Sequence, residues 1–310
     1  MSNAKDNIGP LAQLVEQQTL NLWVEGSNPS WLKTPFQWFF SEKEFFLSAL
    51  QEISMTRHHR EEAIVLTSRQ FGEDNRIITF LSARQGIFEC ILYGGRKSKL
   101  RSVVSPWHSG TLWFYVDNVK NTSKITDFSP SNFRPSLREH LYKNLAASLA
   151  TELIIKTKAA GENNLTWTLF CGFLDGLEIS EEEACKKGLL RFLWRYIGLL
   201  GVRPSSLYCC HCGTSLQEED FLLTELYFYS PEKNGFLCPH CCKETNYPGY
   251  PLSGQALEYL QVCESEFGAK ARNKNLSDSS EQQLKQLLFY LISSGLDIRI
   301  KTLETTLGIL

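Results

Sequence analysis

Between residues 63 and 128 the apolar positions fall into five short runs. They are Ala63-Ile64-Val65-Leu66-Thr67, Ile77-Ile78-Thr79-Phe80-Leu81, Ile87-Phe88-Glu89-Cys90-Ile91-Leu92-Tyr93, Leu112-Trp113-Phe114-Tyr115-Val116 and Lys124-Ile125-Thr126-Asp127-Phe128. Each is short, apolar or alternating, and reads as a strand. Turn residues separate them at Phe71-Gly72-Glu73-Asp74-Asn75, Arg84-Gln85-Gly86, Gly94-Gly95 and Asp117-Asn118. Five strands in so short a span suit a closed barrel, because closure leaves no unpaired edge. A barrel of the OB type fits the pattern, and an SH3-like barrel fits nearly as well.

After Pro130 and Pro135 the period lengthens. Leu137, Leu141, Leu145, Leu149 and Leu153 recur every four residues, the stripe of a helix that faces a core. Ser136 is placed as its N-cap, with Glu139 at the capping-box position. A second helix is predicted over 163–178. A third runs from Glu181 to Leu200, with Leu189, Leu193, Tyr196, Ile197 and Leu200 inward. Glu181, Glu182 and Glu183 suit its N-terminal dipole, and Gly201 and Pro204 end it. Helical pattern resumes after Ser253, a cap ahead of Ala256, Leu257, Leu260 and Val262, and again from about Ser280 to Ser294. The change of period predicts an α+β chain: a β-barrel over 55–134, then a helical domain over 135–310.

Residues 1–54 do not share this order. Leu11, Leu14, Val15, Leu20, Leu22, Trp23 and Val24 keep neither period, and Asn28-Pro29-Ser30 and Pro35 interrupt the segment. The string from Leu11 to Ser30 resembles the translation of a transfer-RNA gene, whose T-arm DNA GGT-TCG-AAT-CC encodes Gly-Ser-Asn-Pro. The chain's two methionines are Met1 and Met55. Translation is expected to begin at Met55, with 1–54 a non-native or disordered leader.

Inside the helical half, over about 205–247, the period gives way to Cys209-Cys210-His211-Cys212 and Cys238-Pro239-His240-Cys241. Two Cys-x-x-Cys turns supply the four corners of a tetrahedral zinc site, whose sulfurs stand about 3.8 Å apart at a bond length of about 2.3 Å. Four unrelated buried thiols, or two disulfides, are the alternatives. Gly213 and Gly235 are expected to ease the two turns, and Phe221 to Phe228 reads as a small hairpin between them. Cys210, Cys242, His211 and His240 stand beside the four as substitute ligands with poorer spacing. Four thiolates close the coordination shell, so the expected Zn2+ is structural. The metal-ligating set is Cys209, Cys212, Cys238 and Cys241.

Composition narrows the class. The chain has 310 residues, 43% hydrophobic, with a formal charge of −2 and ten cysteines. So few cysteines, clustered in pairs, indicate metal binding in a reducing compartment rather than a disulfide scaffold. The greasiest stretch, Leu189 to Val202, contains Arg191 and Arg195, so no membrane span is expected. Phe36 to Leu50 carries Glu42, Lys43 and Glu44 and makes no secretory signal. The expected location is the cytoplasm.

Near-neutral overall charge makes the local charge informative. Residues 55–105 hold nine Arg/Lys against five acids. Gly94-Gly95-Arg96-Lys97-Ser98-Lys99-Leu100-Arg101 contains four cations and no acid. Glycine lets backbone approach phosphates and flexible cations neutralise them. Arg96, Lys97, Lys99 and Arg101, with Arg57 and Arg60 ahead of the first strand, form the candidate DNA-binding set. Tyr93, Trp107 and Trp113 could stack on unpaired bases, although Trp113 lies within a strand and is expected to pack in the core. The alternative is a solvated charged turn. Catalysis finds no support: there is no His-Glu-x-x-His helix, no His-x-Glu with Pro-Cys-x-x-Cys and no Walker loop. His140 beside Glu139 is an isolated pair.

From Met55 to the C-terminus the order of motifs resembles the bacterial RecO family of DNA repair proteins. The match rests on Glu62-Ala63-Ile64-Val65-Leu66, Phe71-Gly72-Glu73-Asp74-Asn75, Gly86 and Gly94-Gly95-Arg96-Lys97-Ser98-Lys99. It continues through Leu199-Leu200-Gly201-Val202-Arg203-Pro204 into Cys209-x-x-Cys212-Gly213. The resemblance implies an N-terminal OB-fold followed by a helical domain with an inserted four-cysteine zinc module. It implies a non-enzymatic mediator at the nucleoid that binds single- and double-stranded DNA and anneals complementary strands. Partners implied are RecR and the acidic C-terminal tail of single-strand-binding protein, with recombinase loading as the outcome. A zinc-ribbon adaptor for RNA or transcription machinery is the alternative that barrel and ribbon alone leave open.

Overall fold

The computed structural model describes residues 57–94, 98–217, 226–244, 249–265, 274–296 and 299–305. Residues 1–54, expected to be a leader, and Met55, the expected start, lie outside the described residues. The chain divides into two compact units, Met1–Thr56 and Arg57–Leu310, and every described residue belongs to the second.

Five strands form the barrel: β1 (His58–Phe71), β2 (Asn75–Ser82), β3 (Gly86–Leu92), β4 (Ser109–Asp117) and β5 (Thr122–Asn132). Helix α1 (Leu100–Val103) joins β3 to β4. The closed order is β1-β2-β3-β5-β4, antiparallel except where Ile91 of β3 meets Lys124 of β5 in parallel. That order, with the helix between the third and fourth strands, is the OB fold and removes the SH3-like alternative. Closure depends on β1 serving two neighbours. Its first half pairs with β4 and its second with β2, and the register shifts between Val65 and Thr67, where the strand bends. Ala63, Val65, Ile78, Phe80, Cys90, Leu112, Phe114, Ile125 and Phe128 fill the interior.

Part of the outer face of β1 and β2 is apolar too. Ile64, Leu66 and Leu81 join Trp107 in the core of the helical body. That body contains α2 (Ser136–Glu139), α3 (Leu141–Lys156), α4 (Asn163–Ile179) and α5 (Glu182–Leu199). A small sheet follows, built from β6 (Leu226–Ser230), β7 (Gly235–Leu237) and β8 (Tyr250–Ser253) in the order β7-β6-β8. Helix α6 (Pro239–Glu244) lies between β7 and β8; α7 (Gly254–Ser265), α8 (Asp278–Gly295) and α9 (Lys301–Thr305) complete the element order. Tyr227, Phe236 and Leu252 of the small sheet share one core with Leu193, Leu260 and Leu288 of the helices. The cysteine-bearing lobe is thus continuous with the helical body. No described helix is long and apolar enough to cross a membrane.

Several helix signals hold. The α5 helix ends in paired bonds, Gly201 N to Gly198 O at 3.0 Å and Val202 N to Ile197 O at 3.2 Å, with Gly201 at φ 74°. This is the left-handed stop that Gly201 predicted. Ser253 caps α7: its hydroxyl accepts from the Ala256 amide at 3.2 Å.

Others need correction. The leucine stripe is not one helix, because His140 is extended (φ −109°, ψ 123°) and divides α2 from α3. Leu141 is consequently exposed, and α3 buries Tyr142, Ala146, Leu149, Ala150 and Leu153 instead. Ser136 does not cap; Pro135 takes that position without a side-chain bond, and Glu139 is exposed. Ser136 ties α2 to the end of α4, donating its hydroxyl to the Glu178 carbonyl at 3.0 Å. Leu200 and Val262 are only partly buried.

Candidate metal centre and nucleic-acid interface

The cysteine cluster begins with two tight turns. After Cys209 the chain reverses through Gly213, whose amide donates to the Cys209 carbonyl at 2.9 Å and whose φ is 75°. The second turn runs from β7 into α6, so Cys238 precedes the helix and Cys241 sits one turn along it. The Cys210 amide donates to the Phe236 carbonyl at 2.8 Å and holds the two turns together. The Cys238 amide points at the Cys209 sulfur at 3.3 Å. The four sulfurs of Cys209, Cys212, Cys238 and Cys241 all lie within 4.8 Å of one another, and Cys212 Sγ is 3.7 Å from Cys238 Sγ. That separation matches the edge of a thiolate tetrahedron, about 3.8 Å.

The electrostatics also suit a cation. Burial pushes the Cys238 and Cys241 thiols up, while the hydroxyl and amide of Thr214 pull Cys212 down to about 6. A soft divalent ion would deprotonate the remaining sulfurs outright. Every described cysteine is free of disulfides. Cys210, Cys242, His211 and His240 stand outside the four-sulfur group, and His211 Nδ1 instead lies 2.7 Å from Lys233 Nζ. Gly235 serves for a different reason from the one its sequence position suggested. A Cβ there would meet the Cys210 Cβ at 2.5 Å, so the need is for space rather than for a left-handed turn.

The candidate nucleic-acid residues divide. Arg57, Arg60 and Lys99 are exposed and Arg101 is half-buried. Arg96 and Lys97 lie outside the described residues. The aromatic expectations change places. Trp107 is buried; its backbone is left-handed (φ 67°), and its indole Nε1 donates to Thr151 Oγ1 of α3 at 3.1 Å. It packs between barrel and helices and offers no face to a base. Trp113 points out of the barrel, not into it, with the Arg60 guanidinium 5.7 Å from its ring centroid. Tyr93 is exposed at the end of β3, with Lys124 Nζ 5.4 Å from its ring. Tyr115 and Lys124 were not among the candidates, yet the structure sets them side by side on this outer face. Period-two alternation was the available signal: Leu112 and Phe114 face inward, so Trp113 and Tyr115 must face outward.

A second feature lies on the helical body. A groove of about 520 Å³ runs between α4 and α5. Leu165, Leu169, Phe173 and Phe192 form its apolar floor, and Arg191, Arg195 and Arg203 contribute cations. Arg203 is held by Glu264 at 3.2 Å and by the Trp194 ring, 5.5 Å from its guanidinium carbon.

Comparison with known proteins agrees with this architecture. A family profile described as "Recombination protein O N terminal" matches residues 55–133, and one described as "Recombination protein O C terminal" matches residues 138–304. The chain is 24% identical over 252 residues to the DNA repair protein RecO of Desulfitobacterium hafniense, covering 79% of this chain and 87% of that protein. Against the Bacillus subtilis DNA repair protein RecO it is 25% identical over 246 residues, 77% of this chain and 91% of that one. The Leptospira biflexa protein of the same name is 27% identical over 219 residues, covering 69% and 81%.

Proposed function

The chain belongs to the RecO family of DNA repair proteins, and from that premise we propose that it is a non-enzymatic recombination mediator. It binds single- and double-stranded DNA, anneals complementary strands, and with RecR helps to load recombinase onto strands coated by single-strand-binding protein. Its place is the cytoplasm, at the nucleoid. The observation that carries this reading is the exposed cationic surface of the OB barrel, where Arg57, Arg60 and Lys99 reach solvent. Annealing follows from charge: two polyanions approach once cations between them replace condensed counterions. Arg96, Lys97 and Arg101 belong to the same proposed set on their sequence position.

In this reading the four cysteines hold zinc, and the metal is structural. Its closed thiolate shell leaves no position for water, and its two turns share the helical core, so the ion's work is to fix that lobe. The groove between α4 and α5 is the proposed receptor for the single-strand-binding protein's tail. An acidic, aromatic-ended peptide matches an apolar floor with Arg191, Arg195 and Arg203 around it.

Fluorescence-monitored annealing of complementary oligonucleotides tests the function, with and without single-strand-binding protein. The four loop cations should contribute a slope of roughly −3 to log affinity against log salt. Replacing Arg96, Lys97, Lys99 and Arg101 with Ala should flatten that slope and abolish annealing. Full annealing by the quadruple variant would remove the loop from the site. A marked preference for RNA over matched DNA would favour an RNA adaptor instead.

A further inference from the structure

One outer face of the barrel concentrates rings and cations. Tyr115 of β4 lies opposite His58 on one side and Lys124 on the other, so the three form a row across β1, β4 and β5. The His58 ring meets Tyr115 edge-on at 5.3 Å, and Arg57 Nη1 donates to the Tyr115 hydroxyl at 3.2 Å. Lys124 carries the row on to Tyr93. Two residues along the strands, Arg60 stands opposite Trp113 and over its ring. At a strand spacing of about 4.8 Å, the row from His58 to Tyr93 is about 14 Å long. Acids border the face: Glu62 is bonded to Thr111 at 2.5 Å, and Asp127 stands opposite Trp113.

The β2–β3 face, where OB folds commonly take oligonucleotides, is furnished differently here. Leu81 is buried in the helical core. Gly86 abuts Asn163 of α4 so closely that a Cβ would fall 2.6 Å from the amide oxygen. Glu89 places an acid on that face and pairs with Arg69 at 3.3 Å. Helices therefore cover part of the common route, and rings with cations against them line the other face.

We propose that single-stranded DNA crosses this barrel on the β1–β4–β5 face. Tyr93, Tyr115 and Trp113 stack on unpaired bases, and Arg57, Arg60 and Lys124 hold the phosphates beside them. The assignment rests on the DNA-binding reading above and adds to it the face, the residues and the preference for unpaired strands. Each ring has a cation against it, so the surface that takes a base and the charge that takes its phosphate come together. Duplex DNA offers these rings nothing to stack on, because its base faces are already covered by one another.

The test uses the full chain and a thymidine oligomer carrying 5-iodouracil, cross-linked by ultraviolet light and mapped by peptide. Cross-links are expected on peptides containing Tyr93, Trp113 or Tyr115. In parallel, Trp113→Ala and Tyr93→Ala should each weaken single-strand binding about tenfold while leaving the salt slope unchanged. Lys124→Ala should reduce the slope by about 0.7. Tyr93 stands at the exposed end of β3, so its replacement leaves the barrel interior intact, and the cross-link needs no variant. Cross-links confined to other segments, with both aromatic variants binding normally, would overturn this face and leave DNA binding standing. Equal losses for duplex and single strands would overturn the unpaired preference. Tighter binding of matched RNA through the same residues would overturn the assignment to DNA. A wild-type chain that binds no oligonucleotide would overturn both the face and the reading beneath it.

Discussion

Arg134 donates Nη1 to the carbonyl oxygen of Trp107 at 2.7 Å, and both residues hold left-handed backbone, φ 47° and 67°. The same guanidinium reaches Ser109 Oγ at 3.1 Å and Asp175 of α4 at 2.7 Å. Trp107 in turn bonds α3 through Thr151. Arg134 thus ties β4 and its preceding turn to α4, and the Trp107 indole adds α3, making a clamp between barrel and helical body. Arg134→Met should cost roughly 2–4 kcal/mol, because it leaves a buried carbonyl and hydroxyl without their donor. Urea unfolding measures this, and a change within about 0.5 kcal/mol, the range of ordinary surface substitutions, would contradict the clamp.

The four-sulfur cluster makes a second expectation concrete. Purified protein should carry a single tightly held zinc, and Cys238→Ser or Cys241→Ser should lose it. Both cysteines are buried in the helical core, so metal loss should lower the melting temperature of the whole body rather than merely loosen a surface loop. Metal analysis beside thermal melts, with and without chelator, decides the matter. Zinc content unchanged in both variants would end the assignment.

Gly235→Ala probes how far the sequence could be read here. Cys-x-x-Cys spacing was sufficient to find the four clustered cysteines, because two tight turns are a local property. Gly235 was expected to serve a turn as Gly213 does. Only the folded structure reveals that Cys210, on the other turn, leaves no room for a Cβ. The same division runs through the chain. All five strand positions were legible from local alternation, but barrel closure depends on the Ile91–Lys124 pairing, which joins residues distant in sequence. Leu141 fitted a leucine period that the extended backbone at His140 interrupts. Nothing around Trp107 announces that its indole turns into the helices. Gly235→Ala should destabilise by about 1–3 kcal/mol through overpacking and weaken zinc retention. Normal stability and zinc content would mean that Cys210 moves aside freely.

The C-terminal helix depends on a carboxylate. Glu152 of α3 accepts from the Lys301 amide at 2.9 Å, from the Thr302 amide at 2.8 Å and from the Thr302 hydroxyl at 2.7 Å. Burial alone would push this carboxyl up, but those bonds and Lys156 outweigh it and hold it at about 2. A carboxyl lowered on folding stabilises the folded state above its unfolded value, about 4.5, and loses that contribution as pH falls through 2. Docking of α9 should therefore weaken progressively between pH 4.5 and 2. Pepsin, active across this window, should cut near Leu303 increasingly as pH falls. Glu152→Gln should be cut readily throughout; equal resistance in the two proteins would mean that α9 is held by other contacts.

The groove proposed for an acidic tail and the barrel face proposed for DNA use different residues, so the two assignments can be tested separately. Arg191 lines the groove between α4 and α5 and is not one of the barrel cations. Arg191→Glu places an acid beside the apolar floor formed by Leu169 and Phe173. Charge reversal at that position should weaken an acidic, aromatic-ended peptide about tenfold, largely at low salt, where exposed charges are least screened. Leu169→Asp should weaken it at every salt concentration, since it removes burial rather than charge. Oligonucleotide binding should be unchanged in both. Fluorescence anisotropy with labelled peptide and labelled DNA reads both ligands on one preparation. Peptide affinity that survives both substitutions would exclude the groove as its receptor, and parallel loss of DNA binding would show that the two surfaces are not independent.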